Sequence, residues 1–261
     1  MHSKSVSEIK TEKQYSKHYL IFSVKFYEMC SRDENASKRI FTHSPKEYRQ
    51  FTSTNMVRIY PHGLRTNSAN YMPLDHWDVG AQMVALNYQT ISVAMLINWA
   101  QFALNGRSGY VLKPAFLRFP GQVKLPKDLP KTMLQVTILC GQFWKPFDGK
   151  VELKVSTRVY CPDKEQRMDL KKPESTKVVA DNGFNPVWNE TFTFDLSNPE
   201  LSFVQFTLVN AKDFVGHHMI SFQAMQRGVR HINLFDHDNK PIPFARIYVK
   251  IDHWLQGERK T

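Results

Sequence analysis

The chain has few cysteines and no long apolar run, and each shortage excludes a class of protein. Its 261 residues contain three cysteines, Cys30, Cys140 and Cys161, which are far apart and odd in number. This indicates a reducing compartment rather than a disulfide framework, and their spacing does not suit a metal site. No run approaches the roughly eighteen apolar residues that a transmembrane helix needs. The first residues lack the apolar core of a signal peptide, so we expect none.

The chain has instead the composition of a folded protein with a basic surface. The hydrophobic fraction is 42%, the aromatic fraction is 13% and the net charge is +11, which favours packed cores, and two domains at this length. A basic surface suits nucleic acid or an anionic membrane leaflet. Because the charge is spread out, without an Arg/Lys block or a nucleic-acid module, we expect no nucleic-acid partner and favour the leaflet. A basic surface that serves only solubility remains open.

Two kinds of hydrophobic pattern divide the chain. Apolar runs at Met56–Tyr60 and at residues 83–88 are separated by about twenty residues with room for a helix, and strand–crossover–strand implies a parallel α/β sheet. Beyond residue 131, short alternating runs with turns between them predict an antiparallel sandwich. The predicted parts are a flexible N-terminus (1–16), an α/β part (17–118), a Pro/Lys linker (119–130), an all-β part (131–255) and a tail (256–261).

Local signals within the first part predict individual elements. The run Tyr19–Phe26 is a strand candidate, and helical spacing of apolar residues marks 92–101. Acidic residues after Ser31 and the pair Ser44-Pro45 suit helix starts. The sequence from Phe102 to Leu112, with Asn-Gly at its centre, predicts a hairpin.

A basic and an aromatic side chain share one face of the predicted strand Met56–Tyr60. Arg58 and Tyr60 are two residues apart at its carboxyl end, where parallel sheets place their sites. An arginine beside a tyrosine there can bind a phosphate and stack on a ring. Arg-x-Tyr is also a common tripeptide, and Arg58 would then brace the strand against a carboxylate. Ser31, at the end of an earlier run, reads on its own as a helix cap.

The amino-acid sequence around these residues is distinctive. In order, the chain reads Arg58-Ile59-Tyr60-Pro61, Gly63, Arg65-Thr66-Asn67-Ser68, Asn70-Tyr71-Met72-Pro73, Trp77, Gly80, Gln82-Met83-Val84-Ala85-Leu86-Asn87, Asn105-Gly106-Arg107-Ser108-Gly109-Tyr110 and Leu112-Lys113-Pro114. This stretch resembles the Y half of the catalytic barrel of eukaryotic phosphoinositide-specific phospholipase C. The Asn-Tyr-Met-Pro motif and Gly141-Gln142-Phe143 look most like the beta-type branch of this family. Further on, Asn185-Pro186-Val187-Trp188 resembles a C2-domain signature.

The resemblance implies a fold and a reaction. The fold is an α/β half of a TIM-type barrel followed by an all-β C2 sandwich. The reaction is hydrolysis of phosphatidylinositol 4,5-bisphosphate to diacylglycerol and inositol 1,4,5-trisphosphate. By resemblance, Ser31 binds a headgroup phosphate, Arg58 a ring phosphate and Tyr60 the inositol face. A polar insertion of the family is missing after Lys25, which puts one barrel strand in doubt.

The resemblance places the acid–base histidines and the catalytic calcium ligands in the X half of the barrel. Nothing in residues 1–25 resembles that half. We therefore expect no catalytic residue in this chain, and no activity from the chain alone. Calcium is expected in the complete enzyme.

Calcium binding by the C2 sandwich is a separate question. Asp148 and Asp213 are weak candidates, because the loop around Asp213 carries Lys212 and few carboxylates, whereas calcium prefers several carboxylate oxygens. The adjacent pair His217-His218 points to opposite faces of a strand, so packing is favoured over a metal site.

The resemblance also implies partners. They are anionic phosphoinositides of the inner leaflet, a heterotrimeric G-protein alpha subunit and the X half of the barrel. The protein is expected in the cytoplasm, peripheral at the plasma membrane. The alternative is a non-catalytic C2 scaffold that binds lipid or protein, and an upstream X half with its histidines would decide between the two.

Overall fold

The structure is a computed structural model that describes residues 25, 28–143, 150–162 and 172–258. Apart from Lys25, the predicted strand Tyr19–Phe26 lies outside the described residues. Contacts divide the chain into two compact units: residues 1–87 with 115–123, and residues 88–114 with 124–261. Residues 88–114 thus group with the second unit, although the sequence pattern placed them in the α/β part. The limits of the sequence-defined domains stay a prediction.

The elements are as follows. The α-helices are α1 (Glu34–His43), α2 (Pro45–Thr54), α3 (Leu74–Trp77), α4 (Val93–Phe102) and α5 (Ala115–Arg118). The strands are β1 (Met29–Asp33), β2 (Met56–Tyr60), β3 (Met83–Val84), β4 (Thr132–Gln142), β5 (Glu152–Tyr160), β6 (Glu174–Ser175), β7 (Val179–Ala180), β8 (Val187–Leu196), β9 (Phe203–Asn210), β10 (Asp213–Ser221), β11 (Gly228–Phe235) and β12 (Pro241–Leu255).

The first unit contains a parallel sheet in the order β1-β2-β3. This confirms the parallel pairing predicted from the strand–crossover–strand pattern. In β2, Val57 and Ile59 are fully buried, whereas Arg58 and Tyr60 alternate with them and lie on the opposite face. The buried face packs with residues of α1, α2 and the segment before β3, which are Ile40, Phe41, Tyr48, Phe51, Tyr71, Val79 and Ala81.

Helix starts follow the sequence signals. Asp33 ends β1 and caps α1, because its Oδ1 accepts the backbone N–H groups of Asn35 (2.9 Å) and Ala36 (3.0 Å). Ser44 precedes α2 and Pro45 occupies the first turn, although the Ser44 side chain makes no cap hydrogen bond. Both predicted starts are confirmed, and the cap at Asp33 turns the chain sharply where β1 ends.

The second unit contains the antiparallel sandwich that the sequence predicted. Its strands run in the order β6-β5-β9-β10-β11-β12-β4-β8, and β7 pairs with β5. The paired residues His217 and Phe235 join β10 to β11, and they link the two halves of the sandwich. Alternate residues of β4 point inward, and Leu134, Val136 and Ile138 are fully buried. The period-two pattern therefore marks the core face correctly.

The segment around α4 bears out one prediction and contradicts another. Helix α4 spans Val93–Phe102, as the apolar spacing indicated. The predicted hairpin from Phe102 to Leu112 is wrong, because residues 105–107 form a 3-10 turn and neither side of that turn is a strand within residues 103–114. Asn105 closes this loop locally, since its Nδ2 donates to Ser108 Oγ (2.9 Å) and to the Tyr110 carbonyl (3.0 Å). Gly106 supplies the positive φ of 62° that the turn needs.

Candidate functional site

The structure brings the three predicted headgroup residues together. Ser31 and Arg58 are register partners on neighbouring strands, and Arg58 Nη1 donates a hydrogen bond to Ser31 Oγ at 3.2 Å. Arg58 Cζ lies 5.3 Å from the centre of the Tyr60 ring, within the range of a cation–π contact. A hydroxyl, a guanidinium and an aromatic ring therefore line one face of the parallel pair. Ser31 and Arg58 are the central residues of β1 and β2 rather than strand ends, and Tyr60 is the last residue of β2.

These groups are open to a ligand. Tyr60 is 36% exposed, Ser31 is exposed and Arg58 is partly buried. In the described part of the chain no carboxylate forms an ion pair with Arg58. Its contacts are the neutral Ser31 hydroxyl and the Tyr60 ring, which do not neutralise its charge. The strand-brace alternative, which needs a carboxylate beside Arg58, finds no support in this geometry.

A buried carboxylate lies beside this site and was not recognised as part of it from the sequence. Glu34 is 9% exposed, and it accepts both Arg65 Nε and Arg65 Nη2, the latter at 2.6 Å. Its Oε1 also accepts the His62 backbone N–H at 3.0 Å. Burial raises the pKa of Glu34, but the hydrogen bonds from Arg65 and His62 and the Arg65 charge outweigh burial, so the pKa lies below its ordinary value. Glu34 is therefore held ionised.

The loop after β2 is bonded to Glu34 near its start, and hydrogen bonds also hold its far end. The Asn70 side chain bonds both ways to the Asn87 backbone, as donor to the carbonyl (3.0 Å) and as acceptor from N–H (2.7 Å). The Tyr71 hydroxyl donates to the Ala85 carbonyl at 2.8 Å. These bonds tie the Asn-Tyr motif to the segment that follows β3. Between the two fastenings, Leu64 is 82% exposed.

A polar chain is buried beneath the sheet. Ser37 Oγ lies 3.0 Å from His76 Nδ1 and 3.1 Å from the Tyr48 hydroxyl. The His76 ring also meets the edges of Phe41 and Tyr71. Burial lowers the pKa of His76 to about 4. The ring is therefore neutral near pH 7, and this chain of bonds connects α1, α2 and α3.

The C2 calcium candidates are not assembled into a site by the described residues. Asp148 lies outside the described residues, and Asp213 begins β10 opposite Asn210. Asn210 Oδ1 is already used, because it accepts the Glu152 backbone N–H at 2.7 Å. Where the structure describes the chain, no group of three or more His, Cys, Asp or Glu side chains could hold a metal. Asp213 is thus not part of a carboxylate-rich group among these residues, whereas calcium prefers several carboxylate oxygens.

The histidine pair on β10 has a packing role. His217 is 3% exposed, with Nε2 3.1 Å from the Asp236 carbonyl. His218 Nδ1 lies 2.6 Å from the Asn233 carbonyl. Burial is the main cause that lowers the pKa of each ring. Both therefore hold β10 to the segment from β11 onward.

Two sequence comparisons assign the two parts of the chain to families. Residues 3–116 match the family Phosphatidylinositol-specific phospholipase C, Y domain, and residues 132–237 match the C2 domain family. The chain is 35% identical over 246 residues to a 1-phosphatidylinositol 4,5-bisphosphate phosphodiesterase delta-4 of Xenopus laevis, covering 90% of this chain and 32% of that protein. It is 33% identical over 241 residues to the human delta-1 protein, covering 87% of this chain and 31% of that protein.

The chain carries the Y and C2 domains of a phosphoinositide-specific phospholipase C.

Solved phospholipase C structures agree with this family. The crystal structure of S. officinalis PLC21 superposes with a TM-score of 0.79 and 26% identity, covering 100% of this chain and 32% of that chain. The chain spans about a third of the length of these relatives. These two curated relatives are delta types, so the beta-type resemblance stays a prediction. No helix in the described ranges is long and apolar enough to cross a membrane.

Proposed function

We propose that this chain holds the headgroup of phosphatidylinositol 4,5-bisphosphate in a phospholipase C. The complete enzyme would release diacylglycerol and inositol 1,4,5-trisphosphate. The observation that carries the proposal is Arg58, whose charge no carboxylate neutralises in the described part of the chain, beside a hydroxyl and an exposed ring. The names of the curated relatives give the same bisphosphate as their substrate.

Arg58 and Ser31 form the phosphate-binding part of the proposed site. The guanidinium has planar N–H donors that match phosphate oxygens, and a charge-assisted pair is stronger than a neutral one. The Ser31 hydroxyl accepts from Arg58 at 3.2 Å, so its own proton is free to point at the same phosphate. A ring phosphate bound here would receive donors from two neighbouring strands.

Tyr60 supplies the surface against which the inositol ring lies. Its ring already contacts the Arg58 guanidinium, and it is the last residue of β2. A sugar-like ring presents C–H groups to an aromatic face, while its hydroxyls and phosphates remain at the edges. This arrangement would orient the ring with one phosphate toward Arg58.

The chemical step is proposed for the complete enzyme. The 2-hydroxyl of the lipid attacks its own phosphodiester, which forms a cyclic phosphate and breaks the P–O bond to glycerol, so that diacylglycerol leaves. Water then opens the cyclic product to the inositol phosphate. The resemblance assigns the histidine pair and the calcium ion to the X half, where the metal would stabilise charge on the phosphoryl oxygens. In this chain Ser31, Arg58 and Tyr60 bind and orient the headgroup and hold no proton that the reaction transfers.

We also propose that the chain works at the inner leaflet of the plasma membrane, from the cytoplasmic side. The net charge of +11 would attract anionic lipids. Leu64 is 82% exposed on the loop after Tyr60, and Phe184 is 57% exposed on the loop that carries the C2 signature. A heterotrimeric G-protein alpha subunit is the proposed regulator, on the resemblance alone.

This proposal is tested by enzyme kinetics, measured after a matching X half of the barrel has been added to the chain. Arg58→Ala is expected to reduce hydrolysis of phosphatidylinositol 4,5-bisphosphate far more than that of unphosphorylated phosphatidylinositol. Equal losses on both lipids, together with a lower melting temperature, would instead identify Arg58 as a strand brace. If no X half restores hydrolysis while the chain still binds vesicles, the C2 scaffold alternative is the better description.

A further inference from the structure

We propose that Glu34 is a positioning residue that sets the lipid-facing loop of the headgroup site. This loop, residues 61–73, connects β2 to α3, and we call it the β2–α3 loop. In this proposal Glu34 fixes the loop so that Leu64 stands out beside the headgroup and enters the lipid. The inference rests on the proposed function, because it takes the headgroup to bind at Ser31, Arg58 and Tyr60.

One buried carboxylate contacts the β2–α3 loop on both sides of Leu64. Glu34 is the first residue of α1, directly after β1, and its side chain is 10% exposed. It receives the His62 backbone N–H and two N–H groups of Arg65. His62 and Arg65 lie on either side of Leu64, so the carboxylate holds both ends of the turn that presents this leucine.

The turn itself is also closed by backbone bonds. Arg65 N–H donates to the His62 carbonyl at 3.0 Å, and Thr66 N–H donates to the Leu64 carbonyl at 2.9 Å. Leu64 N–H lies 3.3 Å from His62 Nδ1. A single exposed leucine is ordinary on a protein surface. Here the leucine is 82% exposed at the apex of a turn that the partly buried Glu34–Arg65 ion pair anchors, so the side chain is held outward.

The same geometry assigns different roles to the two arginines at this end of the sheet. Arg65 donates hydrogen bonds from Nε and Nη2 to the Glu34 carboxylate. The carboxylate therefore neutralises the Arg65 charge and occupies two of the guanidinium donors. Among the described residues, the hydrogen-bond partner of Arg58 is the neutral Ser31 hydroxyl. Arg58 is therefore the guanidinium available for phosphate, and Arg65 serves the loop.

The test separates lipid contact from headgroup contact. Glu34→Gln, Arg65→Gln, the double variant and Leu64→Ser are each measured for binding to two probes. One is soluble inositol 1,4,5-trisphosphate, and the other is phosphatidylcholine vesicles containing a few per cent of phosphatidylinositol 4,5-bisphosphate. The control is Asp78→Asn, which breaks a different ion pair of the same unit, Arg49–Asp78 at 2.7 Å, between α2 and the residue that follows α3.

We expect a split between the two probes. Vesicle affinity should fall about tenfold in Glu34→Gln, Arg65→Gln and Leu64→Ser, which is roughly what removing one leucine from lipid costs. Soluble headgroup affinity should fall less than about threefold. The double variant should lose no more than either single one, because both remove the same pair. Asp78→Asn should leave both affinities unchanged.

Other outcomes overturn the proposal. Equal losses on both probes, or no loss on vesicles, would show that Glu34 does not act through Leu64. Hydrogen exchange gives a readout that needs no ligand, since Glu34→Gln should speed exchange at the His62 and Arg65 amides, and unchanged exchange would refute the positioning role. If exchange speeds up while the unmodified chain binds neither probe, the loop role stands and the proposed function fails with the lipid contact.

Discussion

Arg58 and Ser31 lie opposite each other on adjacent parallel strands, with Arg58 Nη1 3.2 Å from Ser31 Oγ. The two residues are 27 positions apart in the chain, so only the register of β1 with β2 brings them together. The hydroxyl holds the guanidinium on the face that Tyr60 also occupies. A phosphate arriving at this strand end therefore meets donors that are already oriented, which lowers the entropy cost of binding.

Tyr60 is predicted to act through its ring. Tyr60→Phe keeps the aromatic face against Arg58 and should reduce affinity for inositol 1,4,5-trisphosphate by less than about threefold. Tyr60→Ala removes the face and should cost about tenfold, in line with roughly 1 kcal/mol or more for such contacts. Calorimetric titration of both variants checks this. Equal losses for Tyr60→Phe and Tyr60→Ala would show that the hydroxyl, and not the ring, makes the contact.

The buried His76 ring is expected to make the free energy of unfolding depend on pH. Burial lowers its pKa from 6.5 to about 4, so as the pH falls below about 6.5 the unfolded chain takes up the proton before the folded chain does. The folded state should therefore lose about 2 kcal/mol between pH 7.5 and pH 5 from this group. Urea unfolding at the two pH values measures it.

The matched variants for this prediction are His76→Gln and His43→Gln. His43 is exposed at the end of α1. Replacing His76 should flatten the fall in stability toward pH 5, whatever its effect at pH 7.5, and replacing His43 should not. An unchanged slope in His76→Gln would mean that other groups cause the acid sensitivity.

Gly216 is predicted to be required by packing in the sandwich. A Cβ added there would lie 2.9 Å from Ile242 Cδ1, 3.2 Å from Leu234 Cβ and 3.2 Å from the Phe235 carbonyl oxygen. Gly216→Ala should therefore destabilise the chain by about 1–3 kcal/mol, as overpacking does. Gly63→Ala is the control, because its Cβ would meet nothing within 4 Å. Equal melting temperatures for the two variants would contradict this packing.

The 261 residues on their own are predicted not to hydrolyse phosphoinositides. Ser31, Arg58 and Tyr60 can bind and orient a headgroup, but the resemblance assigns the general base and the calcium ligands to the X half. Incubation of pure protein with phosphatidylinositol 4,5-bisphosphate vesicles should release no inositol phosphate above background. Release that Arg58→Ala abolishes would refute this prediction.

Much of the fold follows from local patterns. The alternation of Val57 and Ile59 with Arg58 and Tyr60 predicts which face of β2 is buried, and Pro61 predicts where the strand stops. The same period-two pattern gives the inward face of β4. These signals depend on residues next to one another in sequence, so they can be read without knowing what packs against them.

The missed features depend on distant partners or on competing local bonds. Glu34 suited the first turn of a helix, and its pair with Arg65, 31 residues away, follows only from the path of the β2–α3 loop. The Asn105-Gly106 sequence suits a hairpin turn and equally a closed loop. The Asn105 side chain decides for the loop by bonding Ser108 and Tyr110. No periodicity in the sequence reports that choice.

The most direct test of the account is the affinity of the chain for inositol 1,4,5-trisphosphate, compared with inositol 1-phosphate, before and after Arg58→Ala. A charge-assisted pair contributes about 1.5–3 kcal/mol, so Arg58→Ala should weaken trisphosphate binding by about tenfold or more. Binding of the monophosphate should change little, and Arg39→Ala, which removes the same charge from the exposed face of α1, should change neither. Undiminished trisphosphate binding by Arg58→Ala, in a protein with an unchanged melting temperature, would contradict the account.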